Sequence, residues 1–179
     1  IGLMMSVISN SMTNLALPDG LLGAYAYSIN HFGVIAGAGE SIRGSRAMRW
    51  ELGEATTLTT TGAIFSMARA VNDEGLLVGQ VSASETDGFA SVACAWAGGS
   101  NAPLFRLESP GDGGGSSALA VNRKGEAAGF AEIAAGRIHA MRFGPGDRTG
   151  VDLDTMNNVY SSANGLNDDG LVVGVFFNG

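Results

Sequence analysis

The 179-residue chain is poor in cysteine, proline, histidine and positive charge, and each shortage excludes a class of protein. The single cysteine, Cys94, excludes an internal disulfide, and its position in an apolar run indicates a small buried hydrophobe. A net charge of −7, with only ten Lys plus Arg, argues against nucleic acid and against an anionic membrane surface as partners. Since no apolar run reaches about 18 residues, no membrane insertion is expected. The 28 glycines and 45% hydrophobic residues are typical of a compact, turn-rich, all-β protein.

One pattern of twelve residues, Ala-x-x-x-Asn-x-x-Gly-x-x-x-Gly, occurs four times and sets the period of the chain. Its asparagines are separated by 72 − 30 = 42, 122 − 72 = 50 and 167 − 122 = 45 residues. A period in this range is typical of propellers, solenoids and arrays.

Each copy of the pattern predicts a β-hairpin. Asn favours the first position of a type I turn, and the Gly three residues later supplies the left-handed conformation from which the second strand starts. We therefore expect eight structural turn residues: Asn30, Gly33, Asn72, Gly75, Asn122, Gly125, Asn167 and Gly170.

Two further columns follow the hairpins. A short strand ends in a large aromatic residue at Trp50, Trp96 and Phe143, and a leucine follows 8 to 11 residues later, at Leu58, Leu107 and Leu153. Each repeat thus has four short strands, and about 45 residues per repeat suits a propeller blade. The predicted fold is an all-β propeller with four blades of four antiparallel strands, in one domain that covers residues 1–179.

The two ends of the chain predict how such a ring closes. The chain starts with the second half of a repeat, because aligning Met4–Val7 with Ala47–Trp50 places Leu15 in the leucine column. It ends just after the first half of a repeat, residues 163–177. One hybrid blade of N- and C-terminal strands would close the ring and remove the exposed sheet edges. Three alternatives remain open: a complete ring in one monomer, a fragment of a larger ring, and half of an eight-bladed ring that two chains complete.

The hairpin pattern, followed by His139-Ala-Met-Arg-Phe143 and a leucine, resembles the bacterial extracellular HAF repeat family, with Met in place of the Phe of the name-giving tripeptide. The other two copies keep the alanine and the terminal Trp but not the His. The resemblance covers essentially the whole chain. It implies a propeller-like repeat protein that is secreted or displayed on the bacterial surface.

Candidate ion sites are weak in this sequence. Asn-Asp-x-Gly at Asn72 and Asn167 lacks the remaining ligands of a calcium loop. Three aspartates late in the third repeat are better explained as a solvated strand face: Asp147, Asp152 and Asp154.

The two histidines, His31 and His139, are too few for a zinc site without cysteine partners. His31 occupies a turn position that predicts exposure, and His139 occupies a strand position that its sister repeats fill with Arg or Val. No nucleophile elbow or phosphate loop occurs, so we expect no cofactor, no metal and no catalytic residues.

The variable connections between constant strands indicate a non-catalytic binding or scaffold module that recognises a protein or a polysaccharide. The alternative is a glycan-active hydrolase or lyase with acidic residues in the central funnel. Tyr25, Tyr27, Phe32 and Tyr160 fit either a sugar platform or packing between blades. The candidate binding residues lie in three connecting loops: Glu40, Arg43, Glu85, Asp87 and Arg137.

Overall fold

The computed structural model describes residues 3–6, 11–58, 60, 63–82, 91–96, 103–107, 114–145, 149–154, 156 and 159–177. Within these ranges every regular element is a β-strand, which confirms the predicted all-β class. The strands are β1 (Leu3–Ser6), β2 (Ser11–Asn14), β3 (Gly23–Ile29), β4 (Ile35–Ser41), β5 (Gly44–Glu51), β6 (Glu54–Thr57), β7 (Ser66–Val71), β8 (Leu77–Ser82), β9 (Ser91–Trp96), β10 (Pro103–Arg106), β11 (Ser116–Val121), β12 (Ala127–Ala134), β13 (Arg137–Phe143), β14 (Val151–Asp152), β15 (Tyr160–Leu166) and β16 (Val172–Phe177).

Consecutive strands pair antiparallel to form three units of four strands each. Unit 1 is β3–β6, unit 2 is β7–β10 and unit 3 is β11–β14. The C-terminal hairpin β15–β16 joins the sheet of unit 3 through one parallel bridge, Ile138 to Tyr160, on the edge of β13 that also pairs with β14. The N-terminal hairpin β1–β2 forms a separate two-stranded sheet.

The hairpin turns have the same backbone geometry in all four copies. The turn glycines Gly33, Gly75, Gly125 and Gly170 have φ values of 80°, 78°, 80° and 79°. The asparagine side-chain oxygen accepts the N–H of the residue four positions later at 2.9 Å, at Val34, Leu76, Glu126 and Leu171. This capping and the left-handed glycine are what the sequence pattern predicts.

The first strand of each hairpin contains a bulge shortly before the turn, where the register shifts by one residue. The second recurring glycine of each hairpin lies opposite this bulge, and a Cβ there would overlap the carbonyl oxygen of the facing strand, as between Gly79 and Met67. Glycine is therefore required at this column because the backbones approach too closely for a side chain.

The core lies between adjacent units. Leu58 of unit 1 packs in one buried cluster with Trp96 and Cys94 of unit 2. Leu107 of unit 2 packs in the corresponding cluster with Phe143 of unit 3. The leucine of one unit thus covers the aromatic residue of the next, so each unit depends on its neighbour for burial.

The N-terminal hairpin continues this scheme in front of unit 1. Leu15 packs with Trp50, and Trp50 Nε1 donates to the carbonyl oxygen of Ala16 at 2.7 Å. The register of β1–β2 corrects the expected alignment by two residues. Leu3 pairs with Asn14 as Met48 pairs with Thr57, so Met5 occupies the position of Trp50. Leucine spacing alone could not fix this register, because the turn before the leucine varies in length.

The expected hybrid blade is not formed between the described strands. β16 pairs only with β15, β1 pairs only with β2, and no sheet among the described residues closes on itself. The four copies are therefore an open row of three units with a half-unit at each end.

Candidate functional site at the hairpin turns

Asparagine side chains connect the four hairpin turns in one ladder. Asn30 Nδ2 donates to the carbonyl oxygen of Asn72 at 2.9 Å, and Asn72 Nδ2 donates to that of Asn122 at 2.8 Å. Asn122 Nδ2 donates to the carbonyl oxygen of Asn167 at 3.0 Å. Each asparagine therefore caps its own turn, and the first three also fix the position of the next turn. The two central residues are buried, at 5% and 4% exposure, which makes their hydrogen bonds costly to remove.

The residue after each asparagine forms a second set of contacts between turns. The backbone N–H of His31 donates to Asp73 Oδ1 at 2.9 Å, and that of Arg123 donates to Asp168 Oδ1 at 2.9 Å. Arg123 Nε also lies 3.8 Å from Asp73 Oδ2. At this position, His31 and Arg123 thus alternate with two aspartates along the row, and the aspartates hold adjacent turns together.

Residues of all four turns line one open cavity of about 400 Å³. Three positions of every copy line it: the last residue of the first strand, the asparagine and the residue after it. Ile29 and Leu166 represent the first position at the two ends of the row. This cavity, which we call the turn cavity, is the place in the described structure where residues from all four copies meet.

Beside the turn cavity, the nearly buried side chain of Glu126 pairs with the partly exposed Arg142, a contact that the sequence did not indicate. Its carboxylate accepts hydrogen bonds from Arg142 Nη2 and from Asn122 Nδ2, the latter at 2.6 Å. These hydrogen bonds, with that from Arg142 foremost, lower the pKa of the Glu126 carboxyl. Its column holds apolar residues in the other copies, Val34, Leu76 and Leu171, so a glutamate in this column was the available signal.

A serine that recurs in three copies also has a structural role that the sequence pattern did not predict. Ser66, Ser116 and Ser161 each accept the backbone N–H of the third-strand alanine of the preceding unit, at 2.8 to 2.9 Å. These serines stand six residues before their asparagines, a regular spacing that the sequence displays. They fix one unit on the next, and the first copy has Ala24 in this column.

His139 and the aspartates of unit 3 form a structural network. His139 is 2% exposed, and its Nδ1 lies 2.8 Å from Asp152 Oδ2. Asp154 Oδ2 accepts the hydroxyl of Ser161 at 2.7 Å. The expectation that Asp152 and Asp154 form a solvated strand face is wrong in this respect, because both carboxylates are half-buried and hydrogen-bonded. Asp147 lies outside the described residues.

The predicted loop residues lie away from the turn cavity. Glu40 is at the end of β4 and Arg43 is in the β4–β5 turn, while Arg137 begins β13 beside the β12–β13 turn. These connections are at the opposite ends of the strands from the asparagine turns. Glu85 and Asp87 lie outside the described residues. The turn position of His31 is exposed, as its sequence position predicts.

Other candidate sites give little. Among the described residues, no group of three or more His, Cys, Asp or Glu side chains is arranged to hold a metal ion. Burial raises the pKa of the Cys94 thiol well above its ordinary value, so the thiol is protonated and inert. Tyr25 and Tyr27 are exposed and stacked, with ring centres 6.2 Å apart. The described part of the chain has no helix that is long and apolar enough to span a membrane.

No protein-family model matches this chain, and no curated protein does. The resemblance to HAF repeats therefore rests on the motif residues themselves and stays an expectation.

Proposed function

We propose that this chain is a non-catalytic binding or scaffold module that recognises a protein or a polysaccharide at one face of a propeller-type array. The observation that carries the proposal is the turn cavity, which residues from all four copies line. Its framework of asparagines and left-handed glycines is constant, whereas the residue after the asparagine changes from His31 to Asp73, Arg123 and Asp168. A rigid framework with variable side chains is how scaffolds display recognition residues.

The propeller in this proposal has one hybrid blade. The C-terminal hairpin β15–β16 supplies a first and a second strand, and the N-terminal hairpin β1–β2 supplies a third and a fourth. Pairing β16 with β1 would convert two half-units into one complete unit. It would also remove two unpaired sheet edges, which otherwise favour non-specific strand pairing.

The enzymatic alternative is weaker at the same cavity. A glycan-active hydrolase or lyase would need two carboxylates about 5 to 10 Å apart that are available to the substrate. The carboxylates of Asp73 and Asp168 each accept a backbone N–H of the neighbouring turn, and Arg123 lies between them. Carboxylates engaged in this way support a structural role.

A bacterial secreted or cell-surface location completes the proposal. It is supported by the resemblance of the hairpin pattern and of His139-Ala-Met-Arg-Phe143 to extracellular HAF repeats. Fractionation of the source cells tests this part, and a strictly cytoplasmic protein would contradict it.

The test of binding is a glycan array and a surface-protein array probed with the intact chain. We expect Arg123→Gln to weaken binding of any ligand found, because this side chain is 67% exposed at the turn cavity. The matched control is Arg43→Gln, which removes an exposed arginine at the opposite ends of the strands. Equal loss in both variants would contradict the assignment of the cavity, and turnover of an arrayed glycan would contradict a non-catalytic role.

A further inference from the structure

Two large apolar side chains project from the turns of unit 1 without joining its core. Leu52, in the β5–β6 turn, is 94% exposed, and Phe32, in the β3–β4 turn, is 69% exposed. The position of Phe32 is exposed in every copy and holds Glu74, Lys124 and Asp169 in the other three. Its exposure is therefore a property of the turn, and only the first copy places an aromatic ring there.

The backbone at Leu52 is unfavourable for a leucine. The β5–β6 loop has two residues, and both have positive φ, 51° at Leu52 and 86° at Gly53. Such a loop is a type I′ turn, whose first position favours Asn, Asp or Gly because other side chains are strained in the left-handed region. Leu52 is the one non-glycine residue with positive φ in the described part of the chain. The leucine supplies neither burial nor a favourable turn, so its side chain indicates a role outside the fold.

Leu52 and Phe32 both line one open pocket of about 250 Å³, which we call the Leu52 pocket. Leu15, Ile35 and Trp50 line it as well, and these three belong to one apolar cluster. Because Ile35 and Trp50 are buried, they form the floor, whereas the two exposed side chains form the rim. An apolar cavity of about 150 Å³ is enough for a benzene ring. The Leu52 pocket therefore has room for one side chain of the size of leucine or phenylalanine.

The floor and the rim of the Leu52 pocket are held by hydrogen bonds of the fold itself. Trp50 Nε1 donates to the carbonyl oxygen of Ala16 at 2.7 Å, which fixes the indole ring. The backbone N–H of Phe32 donates to Asn30 Oδ1 at 3.0 Å, and that of Gly33 donates to the carbonyl oxygen of Asn30 at 3.2 Å. A pocket that is already formed loses little conformational entropy on binding, so an apolar contact there gives more affinity.

The charges beside the Leu52 pocket favour a cationic neighbour. Glu51 and Glu54 face each other across the turn. Arg49 Nη2 lies 2.8 Å from Glu51 Oε2 and neutralises that carboxylate, whereas the exposed Glu54 forms no ion pair within the described ranges. No lysine or arginine is among the residues that line the pocket. A ligand group next to the pocket therefore gains from a positive charge.

The Leu52 pocket also adjoins the turn cavity. The rings of His31 and Phe32 meet edge to face with their centres 5.5 Å apart, and His31 lines the turn cavity. The β3–β4 and β5–β6 turns lie at the same ends of the strands, because the β4–β5 turn between them lies at the other ends. One ligand on this face can therefore contact both, with an apolar anchor in the pocket and polar contacts around it.

We propose that the Leu52 pocket binds a protein ligand by taking one side chain of leucine or phenylalanine size that a lysine or an arginine flanks. A protein fits better than a polysaccharide, because sugar hydroxyls buried against this mainly apolar lining would lose their hydrogen bonds to water. The inference rests on the binding role of the proposed function and decides between its two ligand classes. It concerns residues other than those of the turn cavity.

The test is selection of a displayed library of random peptides on the intact chain, with a glycan array in parallel. We expect the selected peptides to share an apolar residue next to Lys or Arg, and we expect Leu52→Asn to weaken their binding about tenfold or more. Since Asn suits the left-handed position, the melting temperature of this variant should equal or exceed that of the intact chain. The matched control is Ile42→Asn, which removes an isoleucine that is 87% exposed in the β4–β5 turn and should leave binding unchanged.

Two further variants test the rim and the charge separately. Phe32→Lys gives the first copy the residue that the third copy has at Lys124, so the turn accommodates it while the rim loses its ring. We expect a loss of binding as large as that of Leu52→Asn. Glu54→Gln should weaken binding less, and its effect should vanish at high salt because the charge is exposed and is screened.

Several results would overturn the inference. A library that yields no binder would do so, as would binders that Leu52→Asn leaves unaffected. A glycan whose binding Leu52→Asn abolishes would place a polysaccharide in the pocket instead of a protein. A lower melting temperature of Leu52→Asn would mean that the leucine supports the fold, which contradicts the proposed role.

Arg123→Gln separates failure of this inference from failure of the proposed function. A ligand that Arg123→Gln weakens and Leu52→Asn does not would contradict only the Leu52 pocket. Peptides that Leu52→Asn weakens and Arg123→Gln does not would contradict only the assignment of the turn cavity.

Discussion

Two strands with nearly the same sequence pattern, β8 in unit 2 and β16 in the C-terminal hairpin, have opposite environments. Both follow an Asn-Asp-x-Gly-Leu turn, and both carry a glycine opposite the bulge of the first strand. Val78 is 1% exposed, whereas Val173 in the same column is 68% exposed. The local structure is therefore the same, and the difference comes from the units on either side.

The comparison separates two levels of organisation. The turn, the bulge and the hairpin register are set by residues within twelve positions of each other. Burial is set by contacts with neighbouring units. β8 has a neighbouring unit on both of its faces, whereas β16 has one on a single face. Substitutions at equivalent columns can therefore measure how much stability comes from the neighbours rather than from the hairpin itself.

The largest expected difference is between Val78→Asp and Val173→Asp. The first places a carboxylate without a partner in the interface between units 2 and 3, and we expect a loss of about 3 to 5 kcal/mol in the free energy of unfolding. The second places it in water, and we expect a change within about 0.5 kcal/mol. Urea unfolding measures both losses. Similar losses would contradict the difference in burial between the two valines.

The asparagine ladder gives the next largest difference, between Asn72→Ala and Asn167→Ala. Removing the Asn72 side chain breaks the hydrogen bond from the N–H of Leu76 and one of the two bonds to the carbonyl oxygen of Asn122, which keeps that from Gly125. We expect a loss of about 2 to 3 kcal/mol. Asn167 only caps its own exposed turn, so its loss is expected to be about 1 kcal/mol. Equal losses would mean that the bonds between turns contribute little, and urea unfolding decides.

The same two levels explain what the sequence could predict. The hairpin turns were predictable because Asn72 and Gly75 act within a few residues of each other. The place of the N-terminal hairpin followed from Leu15, but its register did not, because turn length varies before that leucine. The pairing of Glu126 with Arg142 depends on two strands of unit 3 and on the neighbouring turn. No pattern within a single strand encodes such a contact.

Turn strain should not depend on position in the row, and it serves as a control for the comparison. Gly33 in the first copy and Gly125 in the third have the same φ of 80°. A Cβ at Gly33 would meet no atom within 4 Å, and one at Gly125 would meet neighbours only at 3.6 and 3.7 Å. We expect Gly→Val at either position to cost about 1 to 3 kcal/mol through left-handed strain. A much larger loss at Gly125 in thermal or urea unfolding would mean that neighbours also determine the turn.

The smallest expected effect is on the pH dependence of the free energy of unfolding, through Glu126 in an interior copy. Hydrogen bonds from Arg142 and Asn122 lower the pKa of this carboxyl in the folded protein, so its ionised form stabilises the fold. That contribution is complete above the unfolded value of about 4.3 and is lost as the pH falls through the lower folded value. Glu126→Gln removes it, so we expect the variant to lose less stability than the intact chain between neutral and acidic pH. The ion pair of Glu51 with Arg49 provides the control: the Glu51 side chain is 44% exposed, so we expect Glu51→Gln to change the pH dependence of stability less than Glu126→Gln does. Urea midpoints at the two pH values measure both differences, and an unchanged pH dependence in Glu126→Gln would contradict a stabilising role for the ionised carboxylate.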